Sequence, residues 1–192
     1  MNIKPILFNT DMVRAILDGR KTVTRRLIKH DVDAILNSPY HKEHPEVEDK
    51  QIISKLCMPP YQPGDILYVR ETWREHSPGF PNLFIYKANY KVCKVKWHPS
   101  IHMPKEAARI WLKVKDVHVE RLQEIDDKGA YDEGAGEKDV IYQIGGRVCD
   151  FAKIWNSTIK KSDLDRYGWD ANPLVWVIEF ERCEKPEGWR SE

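Results

Sequence analysis

The run 108–122, "ARIWLKVKDVHVERL", constrains the fold more than any other stretch, because it alternates like a strand and then changes phase. Its apolar residues hold even positions at Ile110, Leu112 and Val114, then odd ones at Val117 and Val119. Side chains of a strand change sides at every residue, so an unbroken strand would turn its apolar row over halfway along. A bulge near Lys115 and Asp116 accounts for the slip, and a bulge of this kind bends a sheet toward closure.

Other segments supply partners for such a sheet. Residues 4–8, "KPILF", form a short apolar run, and "GDILYVRETW" follows the turn Pro63-Gly64. In the latter, Leu67, Val69, Glu71 and Trp73 share one face, so Glu71 continues an apolar row into the interior. The segment "NLFIYKANY" (82–90) is expected as its antiparallel neighbour, and "PLVWVIEFERC" (173–183) as a late, strongly apolar strand. Helical spacing covers Met12, Val13, Ile16 and Leu17, with Thr10 or Asp11 as cap and Gly19 as terminator. A second helix is expected over 150–159. The reading is α+β: one domain over 1–192, a curled β-barrel of about five to seven mainly antiparallel strands with a few short flanking helices. The polar stretch 30–60 and the acidic, glycine-rich stretch 126–149 are expected to be loop insertions.

Composition narrows the function classes. A chain of 192 residues suits one ordinary core, and 31 basic against 30 acidic residues leave no whole-molecule field that would draw nucleic acid or membrane. Any affinity for anions must be local. Cys57, Cys93, Cys149 and Cys183 are widely spaced and read as reduced thiols. No apolar run is long enough for a membrane span, and "MNIKPILF" lacks a secretory leader, so a cytoplasmic location is expected. The sequence holds no P-loop, dinucleotide fingerprint or serine nucleophile elbow, and no cofactor is expected. His41 and His44 have no cysteine pair or further nearby histidine to complete a tetrahedral set, so no metal is assigned.

Positive charge is concentrated where the first helix ends, in "GRKTVTRR" (19–26), which holds four cations, two threonines and no acid. Its Gly19, Lys21 and Arg26 match the G-x-K-x-x-x-x-R signature of the ASCH domain family, part of the PUA-like superfamily of small β-barrels. The order of a first strand, a helix ending at the signature, "PGDILYVRETW", "RIWLKVKDVHVERLQEI" and "VWVIEFE" resembles that family over most of the chain. Within it, "PYQPGDILYVRETW", "PSIHMPKEAARI" and "GWDANPLVWVIEFERCEKP" are similar to a prophage-associated group. In the same comparison "IDDKGAYDEG" resembles the short helix that follows the long strand.

Some small ASCH members are amidohydrolases that deacetylate N4-acetylcytidine with a lysine, a threonine and a glutamate. The resemblance therefore implies catalytic roles for Lys21, Thr24 and Glu71, and RNA or a nucleoside as partner. Thr24 would supply a nucleophilic hydroxyl with Lys21 as its base and Glu71 orienting Lys21 or relaying the proton; a water activated by Glu71 is the equal variant. In a strand, residues 21 and 24 face opposite sides, so a shared site requires a turn. A buried Glu71 needs a partner, and Lys21 and a structural pair with Arg25 or Arg26 are both open. Contacts to substrate are expected from Arg20, Arg25, Arg26, Arg70, Trp73 and His102, because cations grip phosphates and aromatic faces stack on bases. The bland readings stand beside these: Thr24 satisfying a turn, Lys21 solvated, Trp73 packed in the core, His102 an ordinary loop residue. Two other functions remain open, a non-catalytic RNA-binding module and a phage accessory protein that binds a protein partner.

Overall fold

The computed structural model describes residues 2–28, 30–76, 83–90, 95–136 and 146–187. In chain order the elements are β1 (Ile3–Leu7), α1 (Thr10–Leu17), β2 (Val23–Leu27), α2 (Val32–Leu36), α3 (Pro39–Glu43), α4 (Asp49–Leu56), β3 (Ile66–Arg70), β4 (Trp73–Glu75), β5 (Phe84–Tyr86), β6 (Trp111–Arg121), α5 (Asp127–Asp132), α6 (Gly146–Thr158), α7 (Leu164–Tyr167) and β7 (Leu174–Cys183). Five strands form one curled, unclosed sheet in the order β1-β3-β6-β7-β2, and β4 pairs with β5 in a separate ribbon. All pairings in the main sheet are antiparallel except β1 with β3. None of the described helices is long and apolar enough to cross a membrane.

The phase slip in β6 is a bulge. Val114 pairs with Phe180 and Asp116 with Glu179, which leaves Lys115 as the extra residue. Leu112 and Val114 before it, and Val117 and Val119 after it, thereby meet the same core cluster as Ile6, Val13 and Ile178. The continuous apolar run of β7 has a different cause. This strand is hydrogen-bonded on both sides and covered on both faces, with Trp176, Ile178 and Phe180 in the main core and Val175 and Val177 against Phe151 and Trp155 of α6. Each such large apolar side chain contributes about 1.5–3 kcal/mol on burial.

Three local expectations are corrected. The cap of α1 is Asn9, whose side-chain oxygen accepts the Met12 N–H at 2.9 Å, rather than Thr10 or Asp11. The described part of segment 82–90, from Leu83 on, does not flank β3, because β1 and β6 already occupy both of its edges; it gives β5, followed by a 3-10 turn at Lys87–Asn89. The stretch 30–60 is helical rather than a loop, since Asp31 and Ser38 cap α2 and α3 and α4 buries Ile52 and Ile53. Within 126–149, α5 and the start of α6 are helical, while 137–145 lies outside the described residues.

Candidate functional site

The site is built from the turn that follows α1. Gly19 has φ +79, a left-handed conformation that reverses the chain at little steric cost. The next residues are then tied to three neighbours: Lys21 N–H donates to Ala15 O at 2.9 Å, Thr22 N–H to Asp132 O at 2.9 Å, and Phe180 N–H to Thr22 O at 2.8 Å. Lys21 consequently precedes β2 and lies outside its alternation. The turn lets Lys21 and Thr24 line the same cavity despite their odd separation.

Lys21 is buried, with 3% of its surface exposed, and its ammonium is fully engaged. Nζ donates to Val23 O at 2.7 Å, Glu133 O at 2.8 Å and Glu133 Oε2 at 2.7 Å, three acceptors for three protons. The other carboxylate oxygen, Glu133 Oε1, accepts from the Arg25 backbone N–H at 2.6 Å and from Arg25 Nη1 at 3.4 Å. Burial holds the Lys21 amine below the ordinary lysine range, Glu133 pulls it back, and Arg26 and Arg25 push it further down. Arg25 continues the network outward through Nη2 to Glu120 Oε2 at 2.9 Å.

Above this pair lies a cavity of about 340 Å³, a volume that suits a nucleoside. Asn9, Lys21, Thr24, Arg25, Arg26, Glu133 and Thr158 are its polar lining, and Phe8 with Phe151 and Trp155 of α6 supply apolar walls. The Lys21 and Arg26 cations each stand 5.4 Å from the Phe8 ring centroid. Among the described residues the Thr24 hydroxyl donates no hydrogen bond, although the residue is only 4% exposed. Arg26 Nη2 donates to Leu7 O at 2.9 Å. Since β1 and β2 are the two edges of the main sheet, this contact spans the gap where the barrel fails to close.

Glu71 does not meet Lys21. It is buried as its row implies, at 1% exposure, but Arg109 clamps it with two parallel bonds, Nε to Oε1 at 2.8 Å and Nη2 to Oε2 at 3.0 Å. Tyr86 stacks under that guanidinium, with its centroid 4.0 Å from Cζ. Glu71 has no part in the cavity lining, and neither do Arg20, Arg70, Trp73 and His102. Arg20 instead holds the turn after α5 through Gly134 O and Gly136 O at 3.2 and 2.7 Å. Arg70 donates to the carbonyls of Met103 and Ile101. Trp73 packs with Met103 and Ala107 in a small core, and His102 is exposed at the end of a 3-10 turn. Arg25 is buried against Glu133 and Glu120, so of the expected contact residues Arg26 is the one that presents a cation to the cavity with spare donors.

The carboxylate that reading the sequence missed is Glu133. It stands at the C-terminus of α5, where Gly134 takes φ +87. A Cβ on Gly134 would meet the Ala15 Cβ at 2.8 Å, so only glycine lets the Glu133 backbone approach Lys21 this closely. The available signal was "DEG" at the end of the helix that follows the long strand.

One further cluster has metal-ligand chemistry: Asp116, His118 and Glu179 place ligand atoms within 4.8 Å of one another where β6 pairs with β7 after the bulge. Both His118 ring nitrogens already face carboxylates, Asp116 Oδ2 at 2.7 Å and Glu120 Oε1 at 3.1 Å, and no metal is assigned there.

No family model and no curated protein sequence matches the chain. Solved structures do. The hypothetical protein PH0355 is 13% identical with a TM-score of 0.42, over 95% of this chain and 100% of that one. An ASCH domain from Lactobacillus crispatus is 12% identical with a TM-score of 0.41, over 94% and 79%. The Enterococcus faecalis protein EF3133, of family model DUF984, is 10% identical with a TM-score of 0.43, over 95% and 76%. At these identities and TM-scores the likenesses carry no residue's role across.

Proposed function

We propose that the protein is an amidohydrolase acting on an N4-acylated cytidine, with Lys21, Glu133 and Thr24 as its working groups. The observation that carries this reading is the buried Lys21–Glu133 pair, 2.7 Å apart, at a cavity of nucleoside size. Burial makes the lysine a better acid than lysine in water, and the carboxylate beside it can hold a proton. The chemistry divides between them. Glu133 takes a proton from water as the oxygen attacks the acyl carbon, and the Thr24 hydroxyl donates to the carbonyl oxygen as it gains charge. Lys21 then gives up its bond to Val23 O and protonates the departing N4 amine, and the proton held by Glu133 returns to Lys21 along their hydrogen bond. The products are cytidine and a free acid. Of the two variants the sequence left open, activated water suits the geometry better, because all three Lys21 protons are donated elsewhere and none of its bonds goes to Thr24.

The resemblance of "GRKTVTRR" to the ASCH signature supports the same substrate class, with Glu133 taking the part first expected of Glu71. Incubation with N4-acetylcytidine should release cytidine and acetate in equal amounts, measured by chromatography. Absence of product at high protein concentration would remove the hydrolase reading. A second reading, binding without chemistry, is favoured by the same fully satisfied ammonium, which is also what a structural ion pair looks like. It predicts cytidine or RNA affinity without turnover.

A further inference from the structure

The long strand β6 carries a mixed set of ligand atoms that takes no part in the cavity. Beyond the bulge Val117 and Val119 turn into the main core, so Asp116, His118 and Glu120 share the opposite face. Asp116 is paired directly with Glu179 of β7, which sets two carboxylates side by side on that face. Like charges placed in this way repel. The Glu179 carboxylate accepts no hydrogen bond from a described residue, and Lys128, the cation that senses its charge, is paired with Asp132 instead. A cation held between Asp116 and Glu179 would remove the repulsion.

His118 narrows the kind of cation. Its contacts assign no metal by themselves, but a neutral imidazole carries one N–H and cannot donate to both Asp116 and Glu120. With the proton on Nε2 and given to Glu120 Oε1, the Nδ1 lone pair faces Asp116 Oδ2 at 2.7 Å, a repulsive contact until a cation joins them. That division is the arrangement of a metal-bound histidine, in which one ring nitrogen meets the ion and the other donates to a carboxylate. Glu120 is itself fixed for the part, because its Oε2 accepts from Arg25 Nη2 at 2.9 Å. Asp116, His118 and Glu179 each offer one ligand atom within 4.8 Å of the other two. Asp116 and His118 are partly exposed, so small side-chain rotations can bring these atoms to about 2.0–2.2 Å from one ion, with water on its remaining positions.

We infer that Asp116, His118 and Glu179 bind one divalent transition-metal ion of the zinc class, with Glu120 as the carboxylate behind the histidine. The nitrogen ligand favours such an ion over Mg²⁺ or Ca²⁺, which take oxygen ligands. The ion joins β6 to β7 just past the bulge, and through Glu120 it bears on Arg25, which orients Glu133. It takes no part in bond cleavage, so the inference stands apart from the hydrolase reading. A second proton on His118 is the competing occupant.

The test is calorimetric titration of the full chain with Zn²⁺ in the presence of excess Mg²⁺, beside NMR of the histidine ring nitrogens; neither needs a substrate. One Zn²⁺ per chain is expected to bind through His118 Nδ1. His118→Ala should abolish that binding. Glu120→Gln, which alters no ligand of the ion, should weaken it about 10–100-fold, and Glu179→Gln should weaken it further. Zn²⁺ binding undiminished in His118→Ala would place the ion elsewhere, on a thiol or on His41 and His44, and would overturn the inference. Displacement of Zn²⁺ by an equal concentration of Mg²⁺ would overturn the assignment to the zinc class. Failure of the wild type to bind Zn²⁺ would overturn the site as a whole, and a doubly protonated His118 ring at neutral pH would then give its place to the proton.

Discussion

The Lys21 ammonium and the Glu133 carboxylate are 2.7 Å apart and almost wholly buried, although 112 residues separate them in the chain. Arg25 holds the second oxygen of the same carboxylate, so its orientation is set by two cations. Such a pair is costly to bury and costlier to break: removing one partner of a buried pair typically destabilises by about 3–5 kcal/mol.

Exchanging the two buried glutamates in turn separates chemistry from packing. Glu133→Gln should lower turnover of N4-acetylcytidine about 10²–10⁴-fold, the usual contribution of a general acid–base group. Glu71→Gln should leave the surviving folded protein active while lowering its stability, because it weakens the clamp by Arg109. Product chromatography beside a thermal melt reads both effects. Equal loss of activity per folded molecule in the two variants would return Glu71 to the site.

Stability should rise with pH through Lys21. Its proton affinity is lowered on folding from the ordinary value of 10.5, so between the lowered value and 10.5 the unfolded chain holds a proton that the folded one has lost. With more protons bound to the unfolded state, the unfolding free energy increases with pH across that window, and the penalty for burying the charge returns as pH falls below it. Urea titrations of the wild type and Lys21→Gln at several alkaline pH values should show this positive slope in the difference between them. A negative slope would mean that Glu133 outweighs burial.

Gly134→Ala should disturb the site without touching its polar groups. The added methyl would sit 2.8 Å from the Ala15 Cβ and 3.5 Å from the Lys21 Cβ, on a backbone with φ +87. Strain of this kind costs about 1–3 kcal/mol. Relief requires Glu133 to move from Lys21, so kcat should fall together with the melting temperature. Unchanged kinetics and stability would show that this approach is slack.

The arginines of the cationic turn should behave differently from one another. Arg20→Ala should cost about 1–3 kcal/mol, since two carbonyls of the turn at Gly134 and Gly136 lose a charged donor, but leave the salt dependence of RNA affinity alone. Arg26→Ala should cost little stability, because its bond to Leu7 O is exposed, and should weaken RNA binding in a salt-dependent way. Affinity measured across a salt series distinguishes them. Identical slopes in both variants would make the turn a uniform patch.

Periodicity carried most of the architecture. The slip in 108–122 marked the β6 bulge, the unbroken apolar run of 173–183 marked a strand covered on both faces, and Gly19 marked the reversal that brings Lys21 beside Thr24. Each of these follows from where successive side chains must point relative to water, which a local stretch of chain already states. Burial of Glu71 was legible for the same reason. Its partner was not. Whether a buried carboxylate meets Lys21 or Arg109 depends on which distant segments the curled sheet and α5 bring into contact, and on the few ångströms that Gly134 permits. Alternation tells a residue which side to face; only the closed packing of the whole chain decides what it finds there.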